Sequence, residues 1–507
     1  MINWKVRYAA LLALEPPLSD PARRVLEVGS GSEGIARYLK RRVVGVDRAF
    51  DGPVNASLEP VRGSILALPF SSRAFDDVVC VDTLEHLDRA DRPRALGELI
   101  RVARNRVIIS GPAGAFARWG DEAYAKHLSR RPRPLPLWLA EHLRHGIPSL
   151  QEVLELLVHC GHPFTIGVNE GALQHYAGIV ADNLPFMAGF LRLQEAKLAV
   201  EPPLARVQGD VPYSYLITID AASKSGALAE ERRPTSPPHG EPVAPPKRAE
   251  IFAVGHRLDQ MPKIPGIRRI LAGAGNTPGI PIDSGVLRDD GGDSISDRNP
   301  DFSEMTAIYW VWKNLVDLDG VGFCHYRRYF DFRDGALGSH RETRLGGAHE
   351  VAAQRSAFVD RAVIERALAE GAILVTRTTQ EGVVNAEQYM TAHLPEHYLA
   401  MVNCVVARHP HLARQLVAHV GDDGFYGNNM FVMPWADFDA LCRYWFDCLF
   451  ALDREIADKP AGYQRRVLAF LSERLFDIYV RWLCDRGRRV VEYPLFFLEP
   501  DALGAQA

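Results

Sequence analysis

Residues 223–249, SKSGALAEERRPTSPPHGEPVAPPKRA, form a run that no packed core can absorb. Pro234, Pro237, Pro238, Pro242, Pro245 and Pro246 favour an extended path and remove backbone donors. Large apolar side chains are nearly absent, so burial cannot offset the entropy of ordering the segment. A structureless stretch this long inside one domain is uncommon. The run therefore predicts a linker between one domain over 1–222 and another over 250–507. The length of 507 residues leads to the same expectation of more than one domain.

Composition narrows the class. Apolar residues make up 47% and charged residues 24%, the balance of a globular protein. A net charge of -4 gives no support for a broad nucleic-acid surface. The 7 cysteines are scattered without a CxxC pair, which fits reduced thiols in a cytoplasmic protein. The opening MINWKVRYAALLALEPPLSD lacks an Ala-x-Ala cleavage pattern and reads as a helix packed on the first domain. No apolar run reaches the roughly 18 residues of a membrane span, which leaves peripheral membrane contact open.

RRVLEVGSGSEGIARYLKRRVVGVDRAF reads as strand, glycine turn, helix, strand. Gly29 and Gly31 let the backbone turn tightly and approach a ligand. Asp47 closes the second strand, where an acidic group can accept hydrogen bonds from two ribose hydroxyls. The turn alone suits NAD, FAD or S-adenosylmethionine, or a plain strand-to-helix connection. Val78, Val79 and Val81 then predict a strand buried on both faces, and RVIISGP another. FTIGV and YSYLITI predict closing antiparallel strands. Trp119–Leu157 predicts either a cap over an acceptor pocket or an ordinary helical pair.

With LEVGSG, Asp47, GSILALPF, FDDVVCVDTLEHL and NRVIISGP in this order, residues 20–222 resemble a class I S-adenosylmethionine-dependent methyltransferase. The resemblance implies a Rossmann-like sheet. It places Glu27, Gly29 and Gly31 against the methionine part of the cofactor and Asp47 on the ribose. Ser64, Ile65 and Leu66 would flank the adenine. The family often has an acidic residue where this chain has Ser64, whose hydroxyl or backbone would take over that contact. Glu85 and His86 would line the pocket floor or simply cap and pack a helix start. A hydroxyl acceptor would want a base such as His86. A nicotinamide-dependent dehydrogenase is the weaker alternative.

The second half also alternates strands and helices. IFAVGH, GVGFC, GAILVTR and NNMFVMP predict strands, and MTAIYWVWKNL and FDALCRYWFDCLFALDREI predict helices. Ligands bind at the carboxyl ends of strands in such sheets. GVGFC runs out into His325, Tyr326, Arg327 and Arg328, a basic and aromatic exit suited to phosphate oxygens and a base or sugar. One arginine is expected to pair locally with Asp331 or Asp334. Asp301 and Glu304 precede a helix, where they cap it or meet a ligand. Asn428 and Asn429 either bond sugar hydroxyls or fix a turn. Glu387, Asp301 and Glu304 stay open as the base for an acceptor hydroxyl. Glu473 and Arg474 read as an internal helix salt bridge.

From about Ile251 onward, IPIDSG, GDSISDRNPDFSEMTAIYWVWKNL, GVGFCHYRRYF, YGNNMFVMPWADFD and FLSERLFDIYVRWL resemble DUF4422, a bacterial family associated with capsule and lipopolysaccharide glycosyltransferases. The resemblance implies a GT-A-like α/β domain using a nucleotide sugar. Enzymes of that kind often hold a divalent metal with Asp-x-Asp beside the donor strand. Here Asp317-Leu318-Asp319 precedes the strand and reads as a solvated turn, so arginine charge is expected to replace the metal. The whole chain then reads as two joined enzymes, one transferring a methyl group and one a sugar, with a glycan or lipid-linked glycan acceptor. The alternative is that one half is an inactive binding module.

Overall fold

Near-continuous apolar strands such as Val25–Val28 cannot face water on either side, so each half builds its sheet inward. The computed structural model describes residues 2–129, 134–182, 210–224, 248–279, 283–333, 341–380 and 382–500. Most of the predicted linker, 225–247, lies outside the described residues, as does the start of IPIDSG. The chain divides into two compact units. One is Met1–Glu231 with Ala386–Gly421; the other is Arg232–Asn385 with Asp422–Ala507. Pattern reading places 386–421 in the second domain, whereas here it packs with the first.

Among its described residues the first unit holds seven strands: β1 (Val25–Val28), β2 (Val43–Asp47), β3 (Leu58–Arg62), β4 (Phe75–Val81), β5 (Ala103–Pro112), β6 (Phe164–Gly171) and β7 (Pro212–Asp220). Their order is β3-β2-β1-β4-β5-β7-β6. β1 pairs in parallel with β2 and β4, while β7 runs antiparallel to β5 and β6. The chain leaves β1 in one direction and returns to β4 on its other side. The crevice of such a sheet therefore opens above β1 and β4. Asp77 in β4 is fully buried, and Arg23 (2.6 Å) and Arg106 (2.5 Å) neutralise it. The helices Gly114–Leu128, Leu137–His145 and Leu150–Cys160 occupy the stretch expected to be a cap or a helical pair.

The second unit is also α/β. Its strands are β8 (Ala249–Gly255), β9 (Ile267–Leu271), β10 (Leu287–Arg288), β11 (Gly320–His325), β12 (Arg328–Phe330), β13 (Glu342–Leu345), β14 (Ile373–Thr376), β15 (Thr379–Gln380), β16 (Gly424–Phe425), β17 (Phe431–Pro434), β18 (Val490–Tyr493) and β19 (Leu495–Leu498). β10, β9, β8 and β11 form a parallel block. β11 then forks. Gly320–Phe323 pairs antiparallel with β17, while His325 pairs with Arg328 across a tight turn. Helix Trp435–Glu455 buries Leu441, Tyr444, Trp445, Cys448 and Leu449, the face expected from its periodicity.

In the first unit, β6 is the sheet's outer strand. Asn403, on helix Pro395–Arg408, donates from its amide to the Ile166 carbonyl (2.9 Å) and accepts from the Ile166 N–H (2.9 Å). A single carboxamide thus imitates the next strand and occupies part of an edge that is otherwise prone to pair with another chain. Asn403→Ala should cost about 1–3 kcal/mol. Asn403→Asp should do no better, because it cannot donate to the carbonyl. Urea unfolding with hydrogen exchange at Ile166 checks this, and unchanged Ile166 protection in both variants would contradict it.

Candidate active sites

In the first unit, the glycine turn follows β1. Gly29 has φ +79°, and a Cβ there would strike Thr83 Oγ1. Gly31 has φ +53°, and a Cβ there would meet nothing within 4 Å, so the turn faces open space. Asp47 ends β2 and accepts from the Gly31 N–H at 2.8 Å, which brings the β2 carboxylate to the turn. Glu27 is fully buried one residue before the end of β1. It accepts from Tyr8 Oη (2.8 Å) and the Ile35 N–H (2.6 Å). Burial pushes its carboxyl up to about 7 despite these donors. Glu27 therefore fastens the turn to the following helix rather than facing the open space. Ser64 Oγ accepts from the Leu66 N–H at 3.2 Å, so it shapes its own loop, and Ile65 is buried.

Glu85 and His86 lie on the single turn Leu84–His86 directly after Thr83. The Gly29–Thr83 approach places this turn against the glycine loop. Glu85 is buried, and its Oε1 has no hydrogen-bond partner among the described residues. Burial, with Asp82 nearby, holds its carboxyl well above the usual range. His86 Nδ1 lies 2.9 Å from Glu141 Oε2. Burial and the neighbouring His142 lower its pKa. His142 in turn contacts Asp121 (2.7 Å) through Nδ1. The pocket floor is thus a set of imidazoles and carboxylates. Beside it, Leu84, Glu85, Gly111 and Tyr215 help line a largely apolar cavity of about 350 Å³.

In the second unit, several predicted residues converge where β11 ends. His325 Nε2 donates to the Asn428 carbonyl. Asn428 N–H donates to Glu473 Oε1 (3.1 Å), and Asn429 Nδ2 donates to Glu304 Oε1 (2.9 Å) and Ser472 Oγ (2.9 Å). Burial lowers the His325 pKa, Glu304 opposes that shift, and Arg328 and Arg466 reinforce it. Burial raises the Glu473 carboxyl, although Arg474 and Arg328 oppose the rise. Among the described residues Arg328 makes no ion pair, and its guanidinium stands 5.2 Å from the Phe497 ring. Tyr326 packs edge-on against His256.

The other predicted residues separate from this cluster. Arg327 donates to the Leu498 carbonyl (2.9 Å) and lies over Phe497 (4.6 Å). One arginine does pair locally, but with the β19 end; Asp331 instead holds Arg333 (2.5 Å). Asp301 is engaged by Arg465 (2.8 Å). Glu387 belongs to the first unit, where its carboxylate accepts from the Ala115 N–H (3.1 Å) near the start of helix Gly114–Leu128. It therefore leaves the set of candidate bases for sugar transfer, because a carboxylate at a helix N-terminus meets unpaired donors there. Asp319 accepts from the Arg248 N–H (2.9 Å) as part of a turn. Sequence reading missed Asp121, Glu141 and Ser472. Asp121 carried one signal, a charge between the apolar positions Ala117 and Ala125 of one helix face.

Residues 26–110 match the family model of a methyltransferase domain, and 250–483 match that of a domain of unknown function, DUF4422. No curated protein matches the chain. Among solved structures it is similar to the apo bifunctional glycosyltransferase WbbM, at 25% identity over 50% of this chain and 45% of that one, with a TM-score of 0.43. It thus spans less than half the length of that protein. A possible histamine N-methyltransferase from Thermotoga maritima matches at 16% identity over 43% of this chain and 88% of its own, with a TM-score of 0.28. Phosphoethanolamine N-methyltransferase 2 of Haemonchus contortus, in complex with S-adenosyl-L-methionine, matches at 17% over 43% and 52%, also at 0.28. The α/β fold of each half rests on its strand order and its family match.

Glu27 of the first unit gives a stability test. Its folded-state value of about 7 lies above its ordinary 4.5. Between those values the folded state keeps a proton that the unfolded state has lost, so stability falls as pH rises through this window. The full loss is about 3 kcal/mol. Glu27→Gln removes the titrating group and should flatten this part of the profile. Urea midpoints of the full chain from pH 4.5 to 8 measure it; parallel profiles for the two proteins would refute the assignment.

Proposed function

We propose that the chain is a bifunctional transferase of surface-polysaccharide assembly, with methyl transfer in the first unit and glycosyl transfer in the second. The observation that carries the first reading is the meeting of Asp47 and the Gly31 amide beside open space at the end of β2. Those residues fit S-adenosylmethionine: Asp47 to bind the ribose, and the Gly29–Gly31 turn to approach the methionine part. When bound, the cofactor supplies an electrophilic methyl group on a sulfonium. The protein's task is alignment and, for a hydroxyl acceptor, help in ionising it, which this reading assigns to the turn that carries Glu85 and His86.

The second reading is supported by the convergence of His325, Asn428, Asn429, Glu304, Glu473 and Arg328 at the exit of a parallel strand. The substrate is a nucleotide sugar and the acceptor a glycan or lipid-linked glycan. Arg328 stabilises charge on the departing diphosphate. Tyr326 and His256 offer ring faces. His325 holds the 428–429 turn, and Asn429 fixes one oxygen of Glu304. Glu304 Oε2 makes no hydrogen bond among the described residues, so Glu304 replaces Asp301 and Glu387 as the base for the acceptor hydroxyl. No helix of the described residues is long and apolar enough to cross a membrane. The working compartment on this reading is the cytoplasm, where nucleotide sugars are made.

Asp47→Ala should weaken S-adenosylmethionine binding about 10- to 100-fold by calorimetry, from hydrogen bonds worth about 1.5–3 kcal/mol. Arg328→Ala should lower release of nucleoside diphosphate from a nucleotide-sugar panel about 100-fold, with Arg327→Ala well below that. Sugar transfer should persist after exhaustive chelation. Unchanged cofactor binding in the first variant, or equal loss in the two arginine variants, would count against the respective reading.

A further inference from the structure

Glu85, His86 and His142 each offer one ligand atom, and these atoms all lie within 4.8 Å of one another. They come from two elements, the turn Leu84–His86 and the helix Leu137–His145. Three features set them apart from an ordinary polar cluster. His142 already uses Nδ1 on Asp121 at 2.7 Å, so its proton sits there and Nε2 presents a lone pair. Glu85 Oε1 lies 3.9 Å from that Nε2, too far for a hydrogen bond, and it is buried without a partner. Two donors on one first-row cation stand about 3.4 Å apart, given bonds of about 2.0–2.1 Å. The three atoms, within 4.8 Å of one another, need to close by no more than about 1.4 Å to reach that spacing. The Asp121–His142 contact is also what orients a metal-bound imidazole, and Tyr176 Oη (3.1 Å) steadies Asp121 in turn.

We propose that Glu85, His86 and His142 bind a divalent first-row transition metal in the first unit. Two imidazoles and one carboxylate suit Zn²⁺, Co²⁺, Mn²⁺ or Fe²⁺ and leave further positions open. The Thr83–Gly29 contact puts those positions beside the glycine turn. On the methyl-transfer reading, on which only this clause rests, the open position takes the oxygen of a hydroxyl-bearing acceptor. Asp121 is a positioning residue that acts through His142. Glu141 holds His86.

The test uses the untagged full chain, stripped with chelator and titrated with Co²⁺. One equivalent should bind and give visible d–d absorption. Glu85→Gln and His142→Ala should each weaken Co²⁺ about 100-fold or more. Asp121→Asn should weaken it about 10- to 100-fold while shifting the absorption bands. His145→Ala should leave binding unchanged, since His145 bonds Asp88 (2.8 Å) outside the cluster. Circular dichroism checks that each variant is folded. Absence of a d–d band in the folded wild-type chain, or a band that survives His142→Ala and Glu85→Gln unaltered, would overturn the proposal. Co²⁺ is read without S-adenosylmethionine, so this outcome is separate from that of the methyl-transfer reading.

Discussion

Pairing of a central strand on both sides is the constraint from which both sites follow: β1 lies parallel to β2 and β4, and β11 lies parallel to β8 and antiparallel to β17. Glu27 stands opposite Gly45 on one side and Val79 on the other, and Phe323 opposite Phe252. Such strands are buried on both faces and can meet a ligand only where they end. In the first unit this register delivers Asp47 and the glycine turn to one edge. In the second it delivers His325 to the fork of β11. Moving either central strand by one residue would carry every side chain to the opposite face of the sheet and remove these groups from their neighbours.

Buried charge is admitted only with partners in place. Asp77 has two arginines, and Asp289 accepts from the Gly273 and Ala274 N–H groups (both 2.9 Å). Glu27 has a phenol and an amide, yet its carboxyl remains raised, because two neutral donors do not replace the water it has lost. Glu85 has less: one oxygen is without a donor. Glu170 Oε1 and Asp437 Oδ2 are likewise without a donor among the described residues, but each of those carboxylates has its other oxygen on a partner, His175 and Arg488.

The fold was readable because its signals are local. Runs such as Val78–Val81, the Gly29–Gly31 turn, and the helical spacing of Leu441, Trp445 and Cys448 each declare an element within a few residues. Contacts across long separations were not readable. Nothing in Glu387 shows that its helix packs with the first unit, 272 positions from Ala115. The two arginines of HYRRYF look equivalent in the sequence. They diverge only because β12 pairs with β19, which turns Arg327 to the Leu498 carbonyl. Asp121 and His142 are 21 positions apart, and only the fold makes them a pair.

Backbone strain marks the second cluster independently of its side chains. Asn428 and Asn429 both have positive φ, +69° and +49°, and Ser303 has +48°. Each such residue costs of order 1 kcal/mol or more outside glycine, and asparagine tolerates it best. Three of them gather around one sheet edge because the surroundings hold them: His325 and Glu473 grip the Asn428 backbone, Ser472 and Glu304 grip Asn429, and Arg466 donates to Ser303 Oγ (2.9 Å). A turn needed only to connect β16 to β17 would relax into ordinary φ at lower cost. Holding two adjacent asparagines in the left-handed region fixes the 428–429 turn at the end of β11, with its backbone and the Asn429 amide engaged by His325, Glu473, Glu304 and Ser472.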